Sequence, residues 1–262
     1  MAEDQIDGPV RFASADLRGA RFDDVNLATA RFRECDLTGI KVSGALLIGA
    51  DIDGAIDGLV VNGIEMAPLI EAELDRRFPE RVELRPTDAA SARRAVAVVE
   101  QVWAPTVARA AALPDAQRRE SVDGEWSFIQ TLRHLLFVTD AWFRRSVLDL
   151  REPFNPAGLP ATFLRAERDF GIDDRADPSF EELVRAREER FAEISWFVDN
   201  TADDLLLRPG RPATGPGFPP AGSRTPLECL RVVFNEEWEH HRFAVRDLDR
   251  LPSMAPDGPA PG

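Results

Sequence analysis

The segment VVFNEEWEHHRFAV, residues 232–245, holds two of the chain's three histidines and three glutamates within an apolar helical pattern. Apolar residues recur there at spacings of three and four, which predicts an amphipathic helix over residues 225–250. On a helical wheel of about 100° per residue, Glu237 and His241 fall in the middle of the apolar face. Because they lie four residues apart, they occupy adjacent turns of one face. The pattern predicts that both side chains point into the protein.

The remaining polar residues of this segment lie off the apolar face. On the same wheel His240 falls at the edge of that face, Glu236 lies farther round, and Glu239 points away. Glu236 and His240 are therefore candidates for a catalytic general base beside a site. The alternative is that they only support such a site or face solvent.

Four long segments after residue 88 have the apolar spacing of amphipathic helices. Their expected bounds are 89–112, with a break at Pro105, then 125–148, 179–207 and 225–250. Thr87 or Asp88 is the expected cap of the first helix. Long connections rich in Pro and Gly separate the later helices, and this organisation favours an all-α four-helix bundle.

The third histidine, His134, lies in the second of these helices, among apolar residues. A buried carboxylate needs a partner, and for Glu237 the simplest partners are His241 or an arginine across the bundle. His134, Glu237 and His241 also form a set of N and O donors that suits Zn²⁺ or Ni²⁺, or else Mn²⁺ or Fe²⁺. This set predicts a metal site in the bundle core, with positions left open for water or substrate.

A different pattern occupies residues 13–56. Small apolar residues recur every five positions from Ala15 to Ala55, and larger ones lie two places further on. A period of five fits neither a helix nor a strand, but it fits a square solenoid with both residue types inside, Cys35 among them. Roughly nine units make little more than two coils, about 10 Å at one strand spacing per coil. This length is too short to mimic duplex DNA, so a packing or interaction cap is the expected role.

These patterns indicate a multidomain chain. The expected parts are residues 10–64 as the solenoid, 65–88 as a short helix and linker, 89–251 as the bundle, and 252–262 as a disordered tail. The tail is rich in Pro and Gly and too poor in apolar residues to form a core.

Composition excludes several classes of function. The net charge of -14 disfavours binding to nucleic acid or to an anionic membrane. Two distant cysteines do not make a disulfide framework. The polar, acidic N-terminus is unlike a signal peptide, and no apolar run approaches the ~18 residues that span a bilayer. A cytoplasmic protein is the expectation.

Two resemblances to known families follow from these motifs. The units ADLRGARFDD (15–24) and CDLTG (35–39) resemble the pentapeptide-repeat family, whose fold is a right-handed quadrilateral β-helix. The segments WSFIQTLRHLLFVTDAWF (126–143) and FNEEWEHHRFAVRDL (234–248) resemble the DinB-like metalloenzyme superfamily. Its fold is a four-helix bundle with a long crossover connection.

The second resemblance also implies metal ligands. That superfamily carries one histidine on its second helix and an H-x-x-x-H pair on its last, where the second histidine is typically followed by arginine. His134 matches the first position, and His241, followed by Arg242, matches the last. Glu237 stands at the middle position, so this chain departs from the three-histidine pattern.

The activity that the resemblance implies is thiol S-transfer with mycothiol or a similar low-molecular-weight thiol. The metal would lower the pKa of the thiol, and the thiolate would attack an electrophilic small molecule. Hydrolysis by a metal-bound hydroxide is an alternative. A non-catalytic scaffold, with the solenoid as a protein-contact module, is another, and a homodimer is compatible with each. Trp126 and Trp142 are interpreted as packing residues rather than substrate-binding ones.

Overall fold

The computed structural model describes residues 10–161, 164, 171–173, 175–214 and 217–251. The chain divides into two compact units, Met1–Ala45 and Leu46–Gly262. The predicted disordered tail, 252–262, lies outside the described residues.

The backbone of the repeat segment has the same period as its sequence. Every fifth residue has a positive φ; these are Ser14, Gly19, Asp24, Thr29, Glu34, Gly39, Gly44, Gly49 and Gly54. Local turns recur every ten residues, as where the amide of Ala20 donates to the carbonyl of Leu17 at 3.0 Å. Glycine tolerates the left-handed region best, which explains why it stands at five of these nine positions.

The apolar side chains of the repeat are exposed. Phe22 and Phe32 expose 54% and 58% of their surface, and Cys35 is exposed as well. The expectation that these side chains point inward is therefore wrong. The backbone hydrogen bonds of the described repeat residues close local turns, so no stacked neighbouring coil covers the side chains. Among the described residues, the strands are limited to a hairpin of Val60–Val61 (β1) and Ile64–Glu65 (β2).

The described elements that follow this hairpin are helical. Its helices are α1 (Ala67–Arg77), α2 (Ala89–Ala111), α3 (Asp115–Arg118), α4 (Phe128–Thr139), α5 (Phe180–Asn200), α6 (Asp203–Leu206) and α7 (Pro226–Arg250). A 3₁₀ turn, Pro79–Leu84, precedes α2, and a π-helical turn, Asp140–Arg145, continues α4.

The four long helices all begin at a capping box. The pairs of residues that form these boxes are Asp88 and Ser91, Ser127 and Gln130, Ser179 and Glu182, and Thr225 and Glu228. In each box the two side chains accept hydrogen bonds from amides that the helix leaves free. Local sequence therefore sets where each long helix begins, and Asp88 is the cap of the first.

These helices pack as a bundle in which α2 and α4 each contact both α5 and α7. α7 thus lies between α2 and α4. Fully buried apolar residues from three helices, Leu132, Leu136, Ile194, Leu230 and Phe234, form part of the core. Among the described residues, none of the helices is both long and apolar enough to cross a membrane.

Two helix predictions need correction. α2 continues through Pro105 instead of breaking there. Thr106 next to the proline donates its hydroxyl to the carbonyl of Val102 at 3.4 Å, a bond that holds the turn together. The third long helix ends at Asn200, because Thr201 adopts an extended conformation, and α6 follows as a separate turn.

Candidate metal centre

A loop that includes residues 153–159 fixes the orientation of His134 on α4. Only 7% of the residue is exposed, and its Nδ1 lies 3.0 Å from the carbonyl oxygen of Leu159. A carbonyl only accepts hydrogen bonds, so Nδ1 carries the proton and donates it. The Nε2 atom of His134 is left with a lone pair. An imidazole held in this way is the usual form of a metal-ligating histidine.

Several groups hold this loop against α4. Arg133 donates to the carbonyls of Ala157 at 2.8 Å and Gly158 at 3.3 Å. The buried carboxylate of Asp140 accepts the amide of Asn155 at 2.7 Å. Arg133, next to His134, and Asp140, six residues beyond it, therefore hold the loop that carries the Leu159 carbonyl. Sequence reasoning missed this arrangement, although charged residues in an apolar helix were a signal of it.

Glu236 and His240 on α7 face His134. They lie four residues apart on one side of the helix, and Glu236 Oε2 is 3.4 Å from His240 Nε2. The same oxygen is 3.7 Å from His134 Nε2. One ligand atom from each of the three residues lies within 4.8 Å of the others. Two helices thus bring two imidazoles and a carboxylate to one point.

The electrostatics of this cluster suit a cation. Burial lowers the pKa of His134, although Glu236 opposes the shift, so the imidazole is neutral at neutral pH. Burial alone would raise the pKa of Glu236, but interactions with His134 and His240 outweigh it and lower the pKa to about 2. The cluster thus combines an ionised carboxylate with two imidazole groups, a donor set that attracts a cation.

The spacing of the donor atoms also fits a metal ion. A tetrahedral ion with bonds of about 2.1 Å separates neighbouring ligand atoms by about 3.4 Å. Glu236 is 3.4 and 3.7 Å from the two histidine nitrogens. Two imidazoles and one carboxylate are a donor set used by first-row divalent metals. Three ligands leave at least one position open for water or substrate.

The structure does not bring Glu237 and His241 to His134. Glu237 is 1% exposed and accepts a hydrogen bond from Arg187 on α5. This is the arginine across the bundle that the sequence left open as an alternative. His241 Nε2 lies 2.8 Å from the hydroxyl of Thr106 on α2. Among the described residues, the one group of three donors close enough to hold a metal contains neither Glu237 nor His241.

The difference has a geometric cause. The wheel identifies the middle of the buried face, and Glu237 is indeed deeply buried there. In a bundle, however, that middle points toward the core and the opposite helix, while the contact with α4 lies at one edge of the face. Glu236 and His240 occupy this edge and meet His134 on α4. The two metal ligands predicted on α7 are thus displaced by one residue from those of the cluster, while His134 is common to both sets.

Aromatic rings surround the centre. The ring of Trp126 lies 4.5 Å from that of His134 and 5.8 Å from that of His240, measured between centroids. Phe243 contacts His240 edge-on at 6.1 Å. Trp126 and Phe243 are half-buried, so they form part of the rim between the buried ligands and solvent.

Comparison with known proteins gives two family matches. The model of the DinB superfamily matches residues 98–244, and that of pentapeptide repeats matches 11–47 and 26–56, with eight copies. Neither the curated proteins nor the solved structures contain a match to the chain. The superfamily model covers more than half of the chain and all three residues of the metal centre. The chain therefore belongs to the DinB superfamily and carries pentapeptide repeats near its N-terminus.

Proposed function

We propose that this protein binds a divalent metal ion through His134, Glu236 and His240. The observation that carries the proposal is the convergence of three donor atoms from α4 and α7 within 4.8 Å of one another. The Leu159 carbonyl adds support because it fixes the His134 tautomer that leaves Nε2 free to ligate. Membership of the DinB superfamily points in the same direction.

Zn²⁺ and Ni²⁺ are the metals that we propose first, with Mn²⁺ and Fe²⁺ as further candidates. Imidazole suits zinc, nickel and iron, while a carboxylate also accommodates manganese. The carboxylate of Glu236 lowers the net charge of the loaded site by one relative to three histidines. Glu236 and His240 act here as ligands, so their lone pairs are not available for the general-base role considered from the sequence.

We further propose that the centre serves metal-dependent thiol S-transfer, with mycothiol or a similar thiol as cosubstrate, or hydrolysis. The bound metal would supply Lewis acidity, which lowers the pKa of a thiol or of water. The chain's own part is to hold His134 neutral, keep Glu236 ionised, and place aromatic rings at the rim. The resemblance of the helical segments to the DinB-like metalloenzymes supports this step.

Elemental analysis of the purified full chain tests the metal proposal. We expect near-stoichiometric metal, lost in His134→Ala and in Glu236→Ala. Glu239→Ala is the matched control, because Glu239 lies on the same helix but pairs with Arg242. If no metal binds after incubation with Zn²⁺ or Ni²⁺, or if Glu239→Ala loses metal as Glu236→Ala does, the proposal is wrong.

A thiol assay separates the two activities. The metal-loaded protein is incubated with mycothiol and a bimane electrophile, and the loss of free thiol is followed. Turnover that needs the thiol and is lost in His134→Ala supports transfer. Turnover of an ester substrate without any thiol supports hydrolysis and excludes the transferase version.

A non-catalytic scaffold is the second candidate. We propose for it that the repeat segment contacts another protein. The phenylalanines that the repeat leaves exposed support such a contact surface. A folded chain that takes up no metal would favour this candidate over an enzyme.

A further inference from the structure

Within the described part of the chain, Trp126 is the one half-buried aromatic residue whose ring contacts both histidines of the cluster. Its indole is nearly parallel to the His240 ring, at 15°, and tilted by 48° to the His134 ring. The two histidines come from different helices, so Trp126 spans the seam between α4 and α7. The residue is half-buried, so it lies at the edge of the packed helices.

The backbone around Trp126 is held in place. Ser127, the next residue, is the N-cap of α4. Glu125, the preceding residue, accepts a hydrogen bond from Arg246 on α7 at 2.6 Å. The amide of Glu125 also donates to the carbonyl of Val122 at 2.9 Å. Bonds on both sides of Trp126 therefore fix its backbone, and a ring fixed in advance loses little entropy when a ligand stacks on it.

The rest of the rim is aromatic, and its cation, Arg246, is already paired with carboxylates. Phe243 lies one turn beyond His240 and contacts it edge-on. The guanidinium of Arg246 lies 5.1 Å above the Phe243 ring and pairs with the carboxylates of Glu125 and Asp247. The positive charge at this place is thus already matched. Such a rim favours a flat, uncharged group over an anionic one.

The centre is most open at Glu236. Of the three ligand side chains, Glu236 is the most exposed, at 36%, compared with 9% for His134 and 17% for His240. A small molecule that reaches the centre from solvent therefore passes the Glu236 side. Because Trp126 contacts both histidine rings, it borders any coordination position between them.

From this geometry we infer that Trp126, with Phe243, forms a selectivity wall that favours ligands carrying an aromatic or flat apolar group next to the coordinating atom. The inference rests on the proposed metal site and names the class of small molecule that this site accepts. It assigns Trp126 a role beyond packing. A stacked aromatic pair adds to the coordination bond and strengthens binding by about tenfold.

Binding of two imidazoles to the Co²⁺-loaded full chain tests this role. Imidazole and 4-phenylimidazole coordinate through the same kind of nitrogen, and only the second carries a ring that can stack. The visible absorption of Co²⁺ reports coordination directly, so no substrate needs to be known. We expect 4-phenylimidazole to bind about tenfold more tightly than imidazole. In Trp126→Leu the ratio should fall to about two.

Two further variants complete the experiment. Trp142→Leu is the matched control, since Trp142 is also half-buried but contacts Phe218; it should keep the wild-type ratio. Trp126→Phe retains a smaller ring and should keep part of the preference, which guards against a Trp126→Leu variant that fails to fold.

The outcomes separate this inference from the metal proposal. If Co²⁺ does not bind the wild type, the proposed metal site and the proposed role of Trp126 are both wrong. If Co²⁺ binds but the two imidazoles bind equally, only the wall is wrong. A Trp126→Leu variant that weakens Co²⁺ binding yet keeps the tenfold ratio shows that Trp126 only positions the histidines.

Discussion

Two pairs of residues on α7 have the same composition and opposite surroundings. Glu236 and His240 form one pair, and Glu237 and His241 form the other, each with the glutamate four residues before the histidine. The first pair meets His134 on α4 and forms a cluster of metal-donor atoms. In the second pair, the glutamate pairs with Arg187 and the histidine with Thr106. A rotation of about 100° around one helix thus separates a candidate metal site from a structural hydrogen-bond network.

The comparison shows that burial alone does not identify a site. Glu237 is the more deeply buried of the two glutamates, and its charge is met by a cation from α5. Glu236 is less buried and faces two imidazoles. The carboxylate of Glu237 already has an arginine partner, whereas that of Glu236 faces two imidazoles and is free to bind a metal ion.

The largest expected effect comes from breaking the Glu237 pair. Glu237→Ala leaves the buried guanidinium of Arg187 without its carboxylate, which should cost about 3–5 kcal/mol of the free energy of unfolding. Urea denaturation of the metal-free protein measures it. The double variant Arg187→Met/Glu237→Leu should recover most of the loss, because it removes both charges. A loss below about 1 kcal/mol in the single variant would show that the ion pair contributes little to the stability of the fold.

The next largest effect is expected from the loop whose Leu159 carbonyl contacts His134. Arg133→Gln removes the guanidinium that holds the loop carbonyls, so the Leu159 carbonyl no longer fixes the His134 ring. We expect Zn²⁺ affinity, measured by competition with a chromophoric chelator, to fall about tenfold or more. Arg144→Gln is the control, because Arg144 binds the same loop farther away, at Pro153. Equal losses in both variants would mean that loop stability, and not the orientation of His134, governs affinity.

The pH dependence of stability should reflect the buried histidines on both sides of α7. Burial lowers the pKa values of His134 and His241 below the ordinary 6.5, so the unfolded chain takes up protons first as the pH falls. The metal-free protein should therefore lose stability from about pH 6.5 downward, by up to about 1.4 kcal/mol per pH unit for each histidine. Glu236, with a pKa lowered to about 2, loses its contribution only below about pH 4.5.

Urea unfolding at pH 7, 6 and 5 measures this slope. His134→Gln should flatten it, because the variant lacks one of the two titrating groups. A wild-type protein equally stable at pH 7 and pH 5 would contradict the assignment of neutral, buried imidazoles.

The smallest effect is expected at Thr106. Thr106→Val removes the hydroxyl that pairs with His241 and should cost about 1 kcal/mol of unfolding free energy. Metal affinity should be unchanged, since His241 lies outside the donor cluster. Denaturation and chelator competition on the same preparation check both parts. A weakened metal affinity would place His241 closer to the metal than the structure does.

Sequence reasoning predicted the elements of the bundle better than their contacts. The last helix was expected at 225–250 and spans Pro226–Arg250; Thr87 or Asp88 was expected to cap the first helix, and Asp88 is the cap. Both features depend on local sequence, which a single chain shows directly. The burial of Glu237 also followed from periodicity.

The partners of each buried side chain could not be predicted in the same way. Periodicity gives one direction per helix, but α7 has neighbours on two sides, and only the packed bundle shows which residue faces α4. The Leu159 carbonyl comes from an irregular loop, so no periodicity marks it. The inward direction of the repeat's apolar residues was wrong because it assumed stacked coils.

Zinc affinity of two neighbouring variants, His240→Ala and His241→Ala, tests the central claim most directly. The variants lose the same imidazole from adjacent positions of one helix. If His134, Glu236 and His240 hold the metal, His240→Ala weakens Zn²⁺ binding by about 100-fold or more, and His241→Ala changes it by no more than about threefold. The reverse order, with His241→Ala losing the metal and His240→Ala retaining it, would contradict the account.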